Sequence, residues 1–200
     1  MSEHYFSENP HSKSSPKTWN CVLRGKTYRF TSDAGVFSKN TIDFGSKLLI
    51  ESFAIPAVSG DLLDLGCGYG PIGAVLANEY PDRTVLLADI NERALNLAKK
   101  NAVENGLNNV ESLQSDGFSN IKGRGFAAIL LNPPIRAGKK VIYQMFEDAF
   151  EALVSKGEFW IVIQKKQGAP SAKEKLEGLF GNAEMVDRSR GYVVMRSIKV

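Results

Sequence analysis

With 200 residues, 43% of them hydrophobic and 24% charged, the chain carries enough apolar material for one domain with a substantial core and too much to be disordered. A net charge of +3 permits an anionic partner such as nucleic acid without demanding one, and two cysteines and two histidines exclude a disulfide framework and a four-ligand zinc site. No apolar signal core opens the sequence and no run of about 18 apolar residues is present to span a bilayer, so the chain reads as cytoplasmic, without membrane or metal.

Residues 1–18 hold Ser, Lys, Asn and Pro with little to bury and read as a flexible arm, leaving 19–200 as a single domain. The first part of that domain, to about residue 55, is an extension. It contains a short hairpin turning near Gly25 and Lys26, a loop over "AGVFSKN", and a helix within "TIDFGSKLLIESF" with Thr41 as its N-cap. Beyond it, "DLLDLG", "TVLLAD", "VESLQSD", "FAAILLN" and "EFWIVIQ" are five apolar, mostly buried strands separated for the most part by helical patterns. The clearest helix is "NERALNLAKKNAVENG", where Leu95, Ala98 and Ala102 share a face and Gly106 supplies the stop. Alternating strands and helices imply an α/β fold with a mostly parallel sheet, covered by helices on both faces. The tail, "MVDRSRGYVVMRSIKV", reads as an antiparallel edge hairpin turning at Arg190 and Gly191, open to solvent or to a second copy of the chain.

The segment "LLDLGCGYGPIG" ends the first of the five strands and opens a helix at Pro71. Gly68-x-Gly70-x-x-Gly73 matches the dinucleotide fingerprint literally, but Asp64 lies where a pyrophosphate would meet added negative charge. A ligand carrying an ammonium and a sulfonium would welcome that carboxylate. Asp89 ends the second strand at about the 20-residue spacing of a ribose acceptor, and it competes with Asn91 for the N-cap of the next helix. Asp116 ends the third strand, either beside an adenine or as an ordinary loop carboxylate. All three carboxylates therefore share the strand end at which open α/β sheets bind ligands.

"LLDLGCGYG" followed by "LLNPP" resembles class I S-adenosylmethionine-dependent methyltransferases, and "TSDAGVFSKNTIDFGSKLLIE" is similar to the segment preceding the ligand loop in the small-subunit ribosomal RNA guanine-N2 methyltransferases. The resemblance runs from about residue 19 to the end and implies a Rossmann-like fold with a seven-stranded sheet. It implies Gly66, Cys67, Gly68 and Gly70 approaching the methionine moiety, with Asp64 near that end and Asp89 on the ribose. It further implies Asp116 and Gly117 beside the adenine, Ile90 against its plane, and Asn132 bordering both cofactor and substrate.

"ILLNPPIRAGKK" breaks an apolar strand with an amide and two prolines. An exocyclic amine is a poor nucleophile because its lone pair is delocalised into the ring; if Asn132 and the Pro133 carbonyl each accept one N–H, they favour a pyramidal nitrogen facing the methyl donor. Pro133 and Pro134 hold that carbonyl rigidly and remove competing N–H donors. Ile135 stands where relatives that methylate amines often have Tyr or Phe; Phe37 either supplies the missing ring or anchors its loop in the core. Arg136, Lys139, Lys140, Lys165 and Lys166 should gather on the same sheet edge, as an RNA-binding patch or a solvated rim. The reading is methylation of an exocyclic amine, guanine N2 of small-subunit rRNA. Its alternatives are adenine N6 or a protein glutamine amide, a non-catalytic cofactor- or RNA-binding module, and a nicotinamide oxidoreductase, the last disfavoured by Asp64 and the lack of a proton donor.

Overall fold

The computed structural model describes residues 13–38 and 41–200, so most of the expected arm lies outside the described residues. Ser14 and Ser15 at its end are tied down: the Ser14 hydroxyl and the Ser15 N–H donate to the Asp33 carboxylate at 2.7 and 2.5 Å. Strand β1 (Lys17–Leu23) then pairs antiparallel with β2 (Lys26–Ser32) through a two-residue turn in which Arg24 and Gly25 both have positive φ (46° and 75°). Such a turn matches the twist of the flanking strands.

Helix α1 (Phe44–Ser52) begins two residues later than Thr41 would place it. Asp43 is the N-cap, because its Oδ2 accepts the Ser46 N–H at 3.0 Å, and a carboxylate there also complements the helix dipole. Strands β3 (Asp61–Leu65), β4 (Val85–Asp89), β5 (Val110–Gln114), β6 (Phe126–Leu131) and β7 (Leu153–Gln164) form the parallel part of a seven-stranded sheet. Helices α2 (Pro71–Glu79), α3 (Glu92–Glu104) and α4 (Lys139–Ala152) connect them, and α5 (Ala169–Phe180) leads to the antiparallel hairpin β8 (Glu184–Ser189) and β9 (Tyr192–Ile198). The strand order β5-β4-β3-β6-β7-β9-β8 reverses between β3 and β6, which is the switch point where this architecture opens a crevice.

Period-two alternation sorts the strand side chains onto two faces. Leu62, Leu87, Leu130, Trp160 and Val162 pack toward α1, α2 and α3; Leu63, Ile129, Leu131, Phe159 and Ile161 pack toward α4 and α5. Strand β5 differs from expectation: it is half-buried rather than buried, since it forms the sheet edge and has only one neighbour. Among the described residues no helix is long and apolar enough to cross a membrane.

The β1–β2 hairpin is not part of the main sheet, and α3 covers its free edge. Asn101 accepts the Thr31 N–H at 2.8 Å and donates to the Thr31 and Tyr69 carbonyls at 2.9 and 2.8 Å. One turn along, Asn105 accepts the Arg29 N–H and donates to the Arg29 carbonyl, so two amides substitute for a neighbouring strand. Asn101→Ala should strand three buried backbone groups and destabilise the fold by about 3 kcal/mol, at roughly 1–3 kcal/mol per unsatisfied group. Thermal unfolding should show a fall of roughly 6–12 °C for a domain of this size. Asn101→Asp, which keeps an acceptor but no donor, should do no better.

Candidate active site

At the C-terminal ends of β3, β4 and β6 lies a cavity of about 340 Å³, within the usual range of roughly 300–1,000 Å³ for small-molecule sites. Its glycine loop has two kinds of glycine. Gly66 and Gly68 line the cavity at φ 68° and 58°, and a Cβ on either would meet no protein atom within 4 Å. Gly70 and Gly73 are packing glycines instead: their Cβ atoms would lie 3.1 Å from the Ala98 Cβ and 2.0 Å from the Leu87 Cδ2. Gly70, expected beside a ligand, does not line the cavity; it lets α2 close on α3 and, at φ 89°, forms the left-handed N-cap before Pro71.

Alternation along β3 turns Asp64 toward α2, where its Oδ2 accepts the Gly73 N–H at 2.8 Å. The carboxylate is fully buried, it is not on the cavity wall, and its Oδ1 has no hydrogen-bond partner among the described residues. Burial pushes its pKa up to about 7, with the charge of Asp89 adding to the rise and the Gly73 N–H opposing it. Asp89 does line the cavity; its Oδ1 and Oδ2 accept the Asn91 and Gly68 N–H groups at 2.8 Å each, which leaves each oxygen lone-pair capacity for a further donor. Burial raises its pKa as well, against those N–H groups. Asn91, not Asp89, caps α3, with its Oδ1 accepting the Ala94 N–H at 3.1 Å.

Ile90, Asp116 and Gly117 complete one end of the cavity, and Met145 of α4 faces them. Cys67 also lines it, and burial, reinforced by Asp89 and Asp64, drives its thiol well above the usual range, which leaves no thiolate to react.

At the other end stand Asn132, Pro133 and Pro134. Leu131 packs on the α4 face, so Asn132 emerges on the α1 face, where its Nδ2 donates to Asp43 Oδ2 at 3.0 Å and to Ser46 Oγ at 2.9 Å. A carboxylate can only accept, and this fixes the amide's orientation. The Asn132 Oδ1 and the Pro133 carbonyl receive no hydrogen bond among the described residues. A second cavity, of about 490 Å³, shares Val36, Phe37, Ser38, Asp43, Asn132 and Pro133 with the first. Ile135, Arg136 and Tyr192 are on its far wall. Phe37 is thus at the junction rather than in the core, 39% exposed.

Lys139, Lys140 and Lys166 line neither cavity, although all three are exposed, and Lys139 lies over the Tyr143 ring at 5.1 Å from its centroid. Lys165 belongs to a third depression, beside the C-terminal hairpin. Sequence reasoning missed Asp43, Ser46 and Tyr192. The first two sit in a segment whose helix start was misplaced; Tyr192 reaches the site only because β9 registers it opposite Gln164 at the end of β7.

A switch-point cavity with a left-handed glycine loop, a strand-end carboxylate and an Asn-Pro-Pro turn defines a class I S-adenosylmethionine-dependent methyltransferase. More narrowly, the chain belongs to the methyltransferase small domain family, whose model matches residues 27–196. It is 56% identical to the uncharacterized protein YbxB of Bacillus subtilis (strain 168) over the whole of both chains. Ribosomal RNA large subunit methyltransferase G of Streptomyces avermitilis is 32% identical over 84% of this chain and 45% of its own length. In structure the chain is similar to the T. thermophilus 16S rRNA N2 methyltransferase RsmC, solved with AdoMet and guanosine, at a TM-score of 0.82 and 25% identity over 96% of this chain and 52% of that one. The chain spans about half the length of these two rRNA methyltransferases.

A carboxyl with a pKa near 4 when unfolded and about 7 when folded favours the fold most fully below pH 4, and that contribution is lost as pH rises through about 7. The stability of the wild-type protein relative to Asp64→Asn should therefore fall between pH 4 and 8, by on the order of 4 kcal/mol at most. Paired unfolding curves across that range check the sign.

Proposed function

We propose that the chain is an rRNA N-methyltransferase acting on guanine N2 of small-subunit ribosomal RNA. The observation that carries this reading is the Asn132 amide, pinned by Asp43 and Ser46 at the wall shared by the two cavities, with Oδ1 and the neighbouring Pro133 carbonyl left as acceptors. Such a pair suits an exocyclic amine with two N–H groups. Similarity to RsmC, solved with AdoMet and guanosine, supports guanine as the base.

In this reading the backbone of Gly66, Cys67 and Gly68 holds the methionine moiety and Asp89 takes the ribose hydroxyls. Ile90, Asp116 and Gly117 flank the adenine, and Asp64 acts through its charge rather than by contact. The open Cβ directions of Gly66 and Gly68 fit a ligand lying against the loop. When bound, the cofactor supplies a methyl group on a positively charged sulfur that departs as a neutral thioether. Asn132 Oδ1 and the Pro133 carbonyl accept the two amine N–H groups in the second cavity, localise the nitrogen lone pair and direct it toward the first cavity. Pro134 keeps that carbonyl in place, and its own carbonyl accepts the Ala137 N–H at 2.8 Å to close the turn. Phe37 offers an aromatic face to the base, with Ile135 as an aliphatic contact, and the amine proton leaves to solvent. Arg136, Lys139, Lys140, Lys165 and Lys166 provide positive charge for the RNA backbone.

A large-subunit rRNA target is the second reading, favoured by the similarity to large subunit methyltransferase G. Incubation with methyl-labelled S-adenosylmethionine and purified small and large ribosomal subunits, followed by mass identification of the labelled nucleoside, separates the two. N2-methylguanosine in small-subunit RNA is the expected product. The same nucleoside in large-subunit RNA would move the target, and absence of label from both despite cofactor binding would overturn an RNA substrate.

Asn132→Ala should lower kcat by about 100- to 1,000-fold, the scale of losing one preorganised polar group at a reacting centre, with cofactor affinity nearly unchanged. Asp43→Ala should lower kcat by about 10- to 100-fold by freeing the Asn132 amide, the scale seen when an outer partner of a functional side chain is removed. It should also cost about 1 kcal/mol through loss of the α1 cap. Asp43→Asn, which retains an acceptor, should recover much of the activity; single-turnover kinetics alongside cofactor titration would distinguish these effects.

A further inference from the structure

Between the start of α5 and the β8–β9 hairpin lies a groove of about 470 Å³. Its floor is apolar, formed by Val193 and Met195 of β9 and by Met185 of β8, the last 48% exposed. Around that floor stand Lys165, Lys173, Arg188 and Arg190, and no acidic side chain lines the groove. Lys173 is paired with Glu177 at 3.1 Å, whereas the side chains of Lys165, Arg188 and Arg190 form no ion pair among the described residues.

The groove joins the site. Tyr192 lines both it and the second cavity. The Tyr192 ring packs on Phe44 at 5.6 Å between centroids, and the Arg190 guanidinium lies over the Phe44 ring, 4.9 Å from its centroid. Gly45 makes this possible, since a Cβ there would come within 2.8 Å of Tyr192 Cε1. Arg190, Phe44 and Tyr192 thus form one wall running from the groove to Asp43, the residue that holds Asn132.

We propose that this groove is the docking track for the single-stranded RNA flanking the target base, a proposal that rests on the RNA substrate inferred above. A ligand that fits cationic walls over an apolar floor must offer repeated negative charge and flat apolar faces together, which is the chemistry of a single strand with phosphates outward and bases inward. Single-stranded form is required because a base must leave its stack to bring its exocyclic amine to Asn132. A second copy of the chain meeting this surface about a two-fold axis would set the same cations against each other, so charge disfavours that occupant. Lys165, Arg188 and Arg190 contact phosphates, and Tyr192 stacks on the base next to the target.

The test is fluorescence anisotropy of a labelled single-stranded RNA oligonucleotide across a salt series, with the wild-type protein and with Lys165→Gln combined with Arg188→Gln. Both side chains are exposed, so the fold should tolerate the change. Lys99→Gln combined with Lys100→Gln on α3 matches the charge loss at a different surface. The groove variant should bind RNA about tenfold more weakly near physiological salt, with a log–log salt slope reduced by about 1.4 for two lost phosphate contacts on a single strand. Its melting shift on adding S-adenosylmethionine should match that of the wild type. Equal losses in both variants would reduce the effect to net charge and overturn the track. Unchanged affinity in the groove variant, while the wild type binds and methylates RNA, would also overturn it and leave the proposed function standing. A wild-type protein that neither binds nor methylates RNA would remove both. A dimer in solution that Met185→Lys dissociates would give the groove to a second copy and overturn the proposal.

Discussion

The hydrogen bond from Asn132 to Asp43 connects the parts of this molecule that chemistry has to bring together. Asn132 directly follows the central strand β6, and Asp43 caps α1, the helix that the N-terminal extension lays across the sheet. One carboxylate oxygen therefore serves both a helix start and a side-chain orientation, accepting the Ser46 N–H and the Asn132 amide. Without α1 in position the amide would be free to turn, and a turned amide would present donors where the proposed reaction calls for an acceptor. Fold stability and site geometry are thus coupled through a contact between residues far apart in sequence.

Asp64 shows a different compromise. A buried carboxyl with one oxygen unpartnered and a second carboxyl nearby is costly, and its pKa near 7 expresses that cost. Yet it is held by the Gly73 N–H in the first turn of α2, where the helix dipole favours negative charge. Part of that charge survives at neutral pH, beneath a loop whose left-handed glycines bring backbone, not side chains, to the cavity. A positively charged ligand lying on that loop would relieve the two carboxyls of part of their mutual repulsion.

The N-terminal extension does more than cover apolar surface. Its hairpin is fastened to α3 by Asn101 and Asn105, and Asn101 also reaches the Tyr69 carbonyl inside the glycine loop. Following the hairpin, Val36, Phe37 and Ser38 form the wall common to both cavities. A segment outside the parallel sheet therefore shapes the boundary at which a methyl donor and its acceptor would meet.

Local signals were sufficient for much of this architecture. Apolar runs of strand length, the turn residues at Gly25 and Gly191, Pro71 after the glycine loop and Gly106 after α3 act through backbone preferences within a few residues, and those elements stand where expected. Asp89, Asn132, Pro133 and Pro134 likewise meet at one cavity because strand ends share an edge in a parallel sheet. Tertiary structure decided what depends on neighbours distant in the chain. Whether Gly70 faces a ligand or a helix depends on Ala98; whether Asp64 touches the cavity depends on which face of β3 α2 covers; whether β5 is buried depends on its place at the edge. Tyr192 enters the second cavity through strand register alone, and Asp43 becomes the partner of Asn132 only when α1 docks. The sequence by itself determined the elements and the chemical groups available, because propensity and side-chain chemistry are local; only packing could decide which of those groups face one another across the crevice.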